Sequence, residues 1–180
     1  QAVGEINAAQ RIGIVGHVRP DGDALGSMIA LALGARAAGK DAMASFGLPF
    51  VLGDEFRFLD QSVLIPPSEF PDDLDLAIIS NNVDSGNVGA RYADKPYGVI
   101  NYESSLHDEF GIASDGSEGN QFQFVQIQDE THPIAAGLSG QVQISTFNQL
   151  GFHLPGSTIA PGATVVANEI TTVPGQINNL

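Results

Sequence analysis

Residues 12–45 constrain the fold more than any other stretch of the chain. Ile12–Val18 is an apolar run with two glycines, the pattern of a buried strand. Pro20-Asp21-Gly22-Asp23 follows as a turn, because Pro presets φ while Asp and Gly suit a tight bend. Asp23 is placed to cap the next helix. Ala24–Ala38 is rich in strong helix formers, and Gly39 stands where a helix-ending glycine belongs. Asp41–Ser45 then returns as a second strand. Two strands joined through a helix can pair only in parallel, so the chain must build a parallel sheet with a helix on its face.

The remaining segments are read against that unit. Ala2–Gln10 is expected to be a short lead-in helix, Phe50–Leu59 another short helix, and Ser62–Ile65 a brief strand stopped by Pro66-Pro67. Leu76–Ile79 reads as a central strand, Val88–Ala93 as a helical turn and Tyr97–Ile100 as a further strand. From Phe122 the texture changes to Gln, Asn, Ser, Thr and Gly. Phe122–Gln128 alternates like a half-exposed strand, and Gln141–Ser145 does the same. Thr164–Ala167 reads as a late strand and Val173–Leu180 as a tail. The expectation is one α/β domain over residues 1–180, a three-layer, mostly parallel open sheet of Rossmann or flavodoxin-like type. It is expected to be built from two half-domains meeting near residues 78–80, with one sheet continuing through the second half.

Charge narrows the function classes. The 180 residues carry a net charge of −14. Residues 1–79 hold five basic and eleven acidic side chains, and residues 80–180 hold two and ten, with no Lys or Arg after Lys95. Phosphate backbones are bound mainly through Lys and Arg, so DNA binding is not expected. No run reaches the roughly 18 apolar residues of a membrane span, so no membrane partner is expected either. Cysteine is absent, which excludes disulfides and thiolate metal sites. The acidity suits cation binding, and equally a solvated surface.

One cluster of chemistry-bearing residues stands out, the stretch His17-Val-Arg-Pro-Asp-Gly-Asp-Ala-Leu-Gly-Ser27. An imidazole and two carboxylates can hold Mn²⁺, Mg²⁺, Zn²⁺ or Fe²⁺. His17 lies at a strand end, where open α/β sheets present ligands. The i, i+2 spacing lets Asp21 and Asp23 point into one crevice. The same residues also have purely structural readings: Asp21 steadying the turn, Asp23 capping the helix, and His17 a polar strand end.

The stretch His-x-x-Pro-Asp-Gly-Asp-Ala-x-Gly-Ser resembles the first motif of the DHH phosphoesterases, hydrolases that include oligoribonucleases, pAp phosphatases and exonucleases. The likeness runs from about Gln10 to Ile79. It implies that His17, Asp21 and Asp23 are ligands of a metal pair, typically manganese. It also implies a small phosphorylated substrate and a cytoplasmic setting. The family's next Asp falls near Ser80-Asn81-Asn82, and Asp84, slightly displaced from it, is expected as a fourth metal ligand. Asn101, Tyr102 and Glu103 stand where the family has Asp-His-His, and His107 and Asp108 lie beyond. These departures predict an incomplete metal centre.

A second resemblance covers about 76–168. Leu76–Val88, Thr131–Gly140 and Pro161-Gly-Ala-Thr-Val-Val-Ala167 are similar to a flavodoxin-like module of secreted bacterial proteins, distantly like ThuA and the glutamine amidotransferases. It implies a secreted setting and no catalytic set that maps onto this chain. The alternative expectation is therefore a non-catalytic chimeric or secreted structural module, with self-association among its expected properties. His132, before Pro133, is expected in a turn, and His153 in a strand or loop.

Overall fold

The computed structural model describes residues 2–114, 117–144, 146, 149–153, 159–171 and 177–179. Two compact units result, residues 2–103 and residues 104–180. Among the described residues no helix is long and apolar enough to cross a membrane.

The first unit is α/β. Helix α1 (Ala2–Ala8) leads into β1 (Arg11–Gly16), α2 (Gly22–Ala37), β2 (Asp41–Phe46), β3 (Leu76–Ile79), the single-turn helix α3 (Ser85–Val88) and β4 (Gly98–Asn101). All four strands are parallel, in the order β2-β1-β3-β4. The register places Ile12 beside Ala42 and Leu76, and Leu76 beside Gly98. Even-numbered residues of β1, β2 and β3 therefore share one face. Ile12, Ile14, Ala42, Ala44, Phe46, Leu76 and Ile78 pack there against Leu25, Met28, Ile29 and Ala32 of α2. The backbone approaches closely: a Cβ on Gly16 would collide with the Met28 side chain.

The opposite face is covered by the irregular connection between β2 and β3. A Cβ on Gly13 would lie 2.6 Å from Phe70 Cζ and 2.7 Å from Leu74 Cδ1, so glycine lets this layer close onto β1. Covered on both faces, β1 has the near-continuous apolar sequence of a parallel strand. Its entry is pinned by Asp75, whose carboxylate accepts from the Gln10 and Arg11 backbone N–H groups at 2.9 and 2.8 Å. Those two hydrogen bonds hold the Asp75 pKa below the ordinary carboxylate value.

Several local expectations are corrected. Helix α2 begins at Gly22 rather than Ala24, and Asp21 rather than Asp23 is its N-cap. It ends at Ala37, with Gly39 at φ +83°. Phe50–Leu59 contains only one 3₁₀ turn, Asp54–Phe56, because apolar and acidic residues there follow no helical period. Ser62–Ile65 is a 3₁₀ turn with a single bridge, Ala44 to Leu64, since Pro66-Pro67 ends the pairing.

The second unit contains β5 (Ser117–Ile127), β6 (Gln141–Gln143), β7 (Gln149–His153), β8 (Ala167–Thr171) and β9 (Ile177–Asn179). The expectation of one continuing sheet is not met. These strands form a separate antiparallel sheet centred on β5, which pairs with β6, β7 and β8. The polar alternation along β5 suits an antiparallel strand with one wetter face better than a parallel strand covered on both. Among the described residues one buried cluster comprises Val125, Ile127 and Ala135, with Val142, Val166 and Ala167 packed around them. The late strand begins at Ala167 rather than Thr164, and 177–179 of the expected tail pair with β8. Ser145 and residues 173–176 and 180 of the expected segments lie outside the described residues.

Two substitutions test the layering of the first unit. Leu25 of α2 is fully buried against the sheet, so Leu25→Ala is expected to cost about 2–5 kcal/mol. Gly13→Ala is expected to cost about 1–3 kcal/mol through overpacking against Phe70. Chemical denaturation followed by circular dichroism measures both; a neutral Gly13→Ala would contradict the close packing of Phe70 on β1.

Candidate functional site

The strand order sets where a ligand can approach. From β1 the chain turns to β2 on one side, whereas β3 lies on the other. Loops leaving the carboxyl ends of β1 and β3 therefore diverge and leave a crevice between them. Residues 17–23 occupy the first of these loops and residues 80–84 the second. Both contain a non-glycine residue in the left-handed region, Arg19 at φ +52° and Asn82 at φ +62°. Asn tolerates that conformation; Arg does not without cost, about 1 kcal/mol or more.

His17 follows directly on β1 and is half-buried. Its Nδ1 lies 3.0 Å from the Val18 carbonyl oxygen, which can only accept, so Nδ1 carries the proton. In the neutral ring Nε2 is then the free nitrogen, and it faces Asp21, 3.8 Å from Oδ1. Fixing one ring nitrogen on a carbonyl and presenting the other is the usual arrangement of a metal-ligating histidine. Two ligands of one ion, each at about 2.1 Å, sit roughly 3.0–3.4 Å apart, so the pair would need to close only slightly.

Asp21 is exposed and already employed. Its Oδ1 accepts from the Ala24 backbone N–H at 3.1 Å, capping α2. That bond is the main cause of a pKa held below the ordinary carboxylate value; slight burial opposes it, and the neighbouring Asp23 and His17 side chains reinforce it. Asp23 lies in the first turn of α2, where the helix dipole favours negative charge.

The other residues singled out from sequence do not join this group. Asp84 caps α3, accepting from the Asn87 backbone N–H at 3.1 Å and from Asn87 Nδ2 at 2.8 Å. Asn101 brackets its own turn: Nδ2 donates to the Glu103 carbonyl at 2.7 Å, and Oδ1 accepts from the Glu103 N–H at 3.0 Å. Tyr102 is exposed and Glu103 is buried. His107 and Asp108 belong to the second unit. There Asp108 is hydrogen-bonded to Glu109, which lowers the Asp108 pKa and raises that of Glu109. His132 caps a 3₁₀ turn through Nδ1, matching its expected turn role. His153 lies in β7. Among the described residues no three His, Asp or Glu side chains converge as a ready metal-binding group. No family model matches the chain.

One feature escaped sequence reasoning, a cleft of about 400 Å³ that includes Ser45, Asp84 and Arg91 in its lining. The only signal for it in the sequence is a serine inside the apolar strand Ala42-Met-Ala-Ser-Phe46.

The Asp21 cap has a pH signature. A carboxyl whose folded pKa lies below its unfolded value stabilises fully above the unfolded value, and loses that contribution as pH falls through the folded one. Asp21→Ala is therefore expected to lower the melting temperature at neutral pH, with the gap from the parent narrowing below about pH 4. Thermal melts across pH check this; a gap that is constant from neutral pH into acid would show that the Asp21 charge plays no part.

Proposed function

We propose that the 2–103 unit is a DHH-like, phosphoesterase-type domain with an incomplete metal centre. His17, Asp21 and Asp23 bind one divalent cation, with Mn²⁺ preferred. The observation that carries this reading is the His17–Asp21 pair at the carboxyl end of β1. The imidazole is oriented by the Val18 carbonyl, and its other nitrogen faces the Asp21 carboxylate. When bound, such a cation supplies Lewis acidity toward a phosphoryl oxygen, so a small phosphorylated molecule is the class of ligand it would take. Two-metal hydrolysis needs a second ligand set. Asp84 is turned into a helix cap and Asn101 into a turn, so the domain is expected to hold one ion without turnover.

A second reading has a specific observation behind it. The carboxylates of Asp21 and Asp84 both hold helix N-termini, which is sufficient reason for their presence in a non-catalytic module of mixed ancestry. One titration separates the two. Calorimetry of metal-free protein with Mn²⁺ is expected to give one site per chain, weakened about tenfold or more by His17→Ala or Asp23→Ala. No heat at millimolar Mn²⁺ would leave the non-catalytic reading standing. Two bound ions together with hydrolysis of a generic phosphodiester would overturn the incompleteness of the centre.

A further inference from the structure

A second candidate ligand site lies in the 2–103 unit and uses none of the residues assigned above to the metal. The cleft opens at the carboxyl ends of β1 and β2, on the face away from α2. Its volume, about 400 Å³, falls within the range of about 300–1,000 Å³ usual for small-molecule sites. Val15, Phe70, Val83 and Tyr92 make its walls largely apolar.

Among the described residues, two polar groups in this lining have no hydrogen-bond or ion-pair partner. Ser45 is 3% exposed, and its hydroxyl is buried without a hydrogen bond. A buried hydroxyl left unpaired costs about 1–3 kcal/mol, which a ligand atom can recover. Ser45 shares the face of Val15, opposite Phe46, and so points to the cleft side of the sheet. Arg91 is exposed, with its guanidinium 5.9 Å from the centre of the Tyr92 ring. Among the described residues no carboxylate forms an ion pair with it. The nearby carboxylate of Asp84 is turned onto Asn87. The lining thus offers an unpaired cation, an apolar body and a buried hydroxyl.

We propose that this cleft binds a small monocarboxylic acid with an aromatic or branched apolar body and one hydroxyl or carbonyl substituent. The carboxylate pairs with Arg91, the body lies against Phe70 and Val83, and the substituent hydrogen-bonds to Ser45. The Asp84 charge disfavours dianions and orients the acid toward Arg91. The proposal stands apart from the metal reading, so its test is run on the full chain with a chelator present.

Hydroxyphenylpropionate, phenylpropionate and the neutral phenylpropanol serve as probes, followed by calorimetry and by NMR shift mapping. Hydroxyphenylpropionate is expected to bind saturably at millimolar concentration or below, and about tenfold more tightly than phenylpropanol. Arg91→Gln, a change at an exposed position, is expected to remove that difference and leave phenylpropanol binding unchanged. Ser45→Ala is expected to erase the preference for the hydroxyl-bearing acid over phenylpropionate. Absence of saturable binding at millimolar acid overturns the proposal. So does equal affinity for acid and alcohol, or acid binding that survives Arg91→Gln unchanged.

Discussion

Strand β1 carries the first unit, because both its edges and both its faces are occupied. It hydrogen-bonds to β2 and β3, lies under α2 on one face, and meets Phe70 and Leu74 on the other. A strand so enclosed cannot carry large side chains at every position. Gly13 and Gly16 are the places where the two covering layers come closest, one on each face. Because β1 is central, the loop leaving it opens at the point where the chain's direction of winding reverses. The placement of His17 and the Asp21 turn follows from that enclosure.

The same few atoms are asked to do two jobs at this turn. A helix N-terminus presents unsatisfied N–H groups, and an aspartate oxygen is among the best acceptors for them. Asp21 meets that need for α2 and Asp84 meets it for α3. A capping carboxylate keeps a second oxygen and spare lone pairs, so capping and metal binding are compatible at Asp21. At Asp84 the second oxygen is also taken, by the Asn87 amide. On the proposed metal-binding reading, this difference separates the two positions more than the identity of the residues does.

Legibility in the sequence varied with the kind of interaction. The strand-turn-helix-strand of residues 11–46 was readable because apolar runs, turn chemistry and a helix-ending glycine act within a few residues of one another. The shift of the helix start from Ala24 to Gly22 is a small miss with a clear cause: Asp21 and Asp23 are equally good caps on composition, and only backbone conformation chooses between them. The second unit was misread because a strand's partner is a long-range property. The alternation along β5 pointed to one wetter face, which favours antiparallel pairing, yet the expectation of a continuing parallel sheet overrode it. The cleft was invisible because Ser45, Phe70 and Arg91 are distant in sequence and unremarkable singly.

By itself the sequence determined what short-range physics controls: a buried strand at β1, a tight acidic turn after it and an alanine-rich helix. Tertiary structure alone decided the order β2-β1-β3-β4, the separation of parallel from antiparallel strands into two sheets, and which aspartates cap helices. It also decided that a serine in an apolar strand lines a cleft with an unpaired arginine. The reason is physical. Caps, turns and helix propensity act between neighbours, whereas strand pairing, layer closure and cavity lining depend on which distant segments share a face.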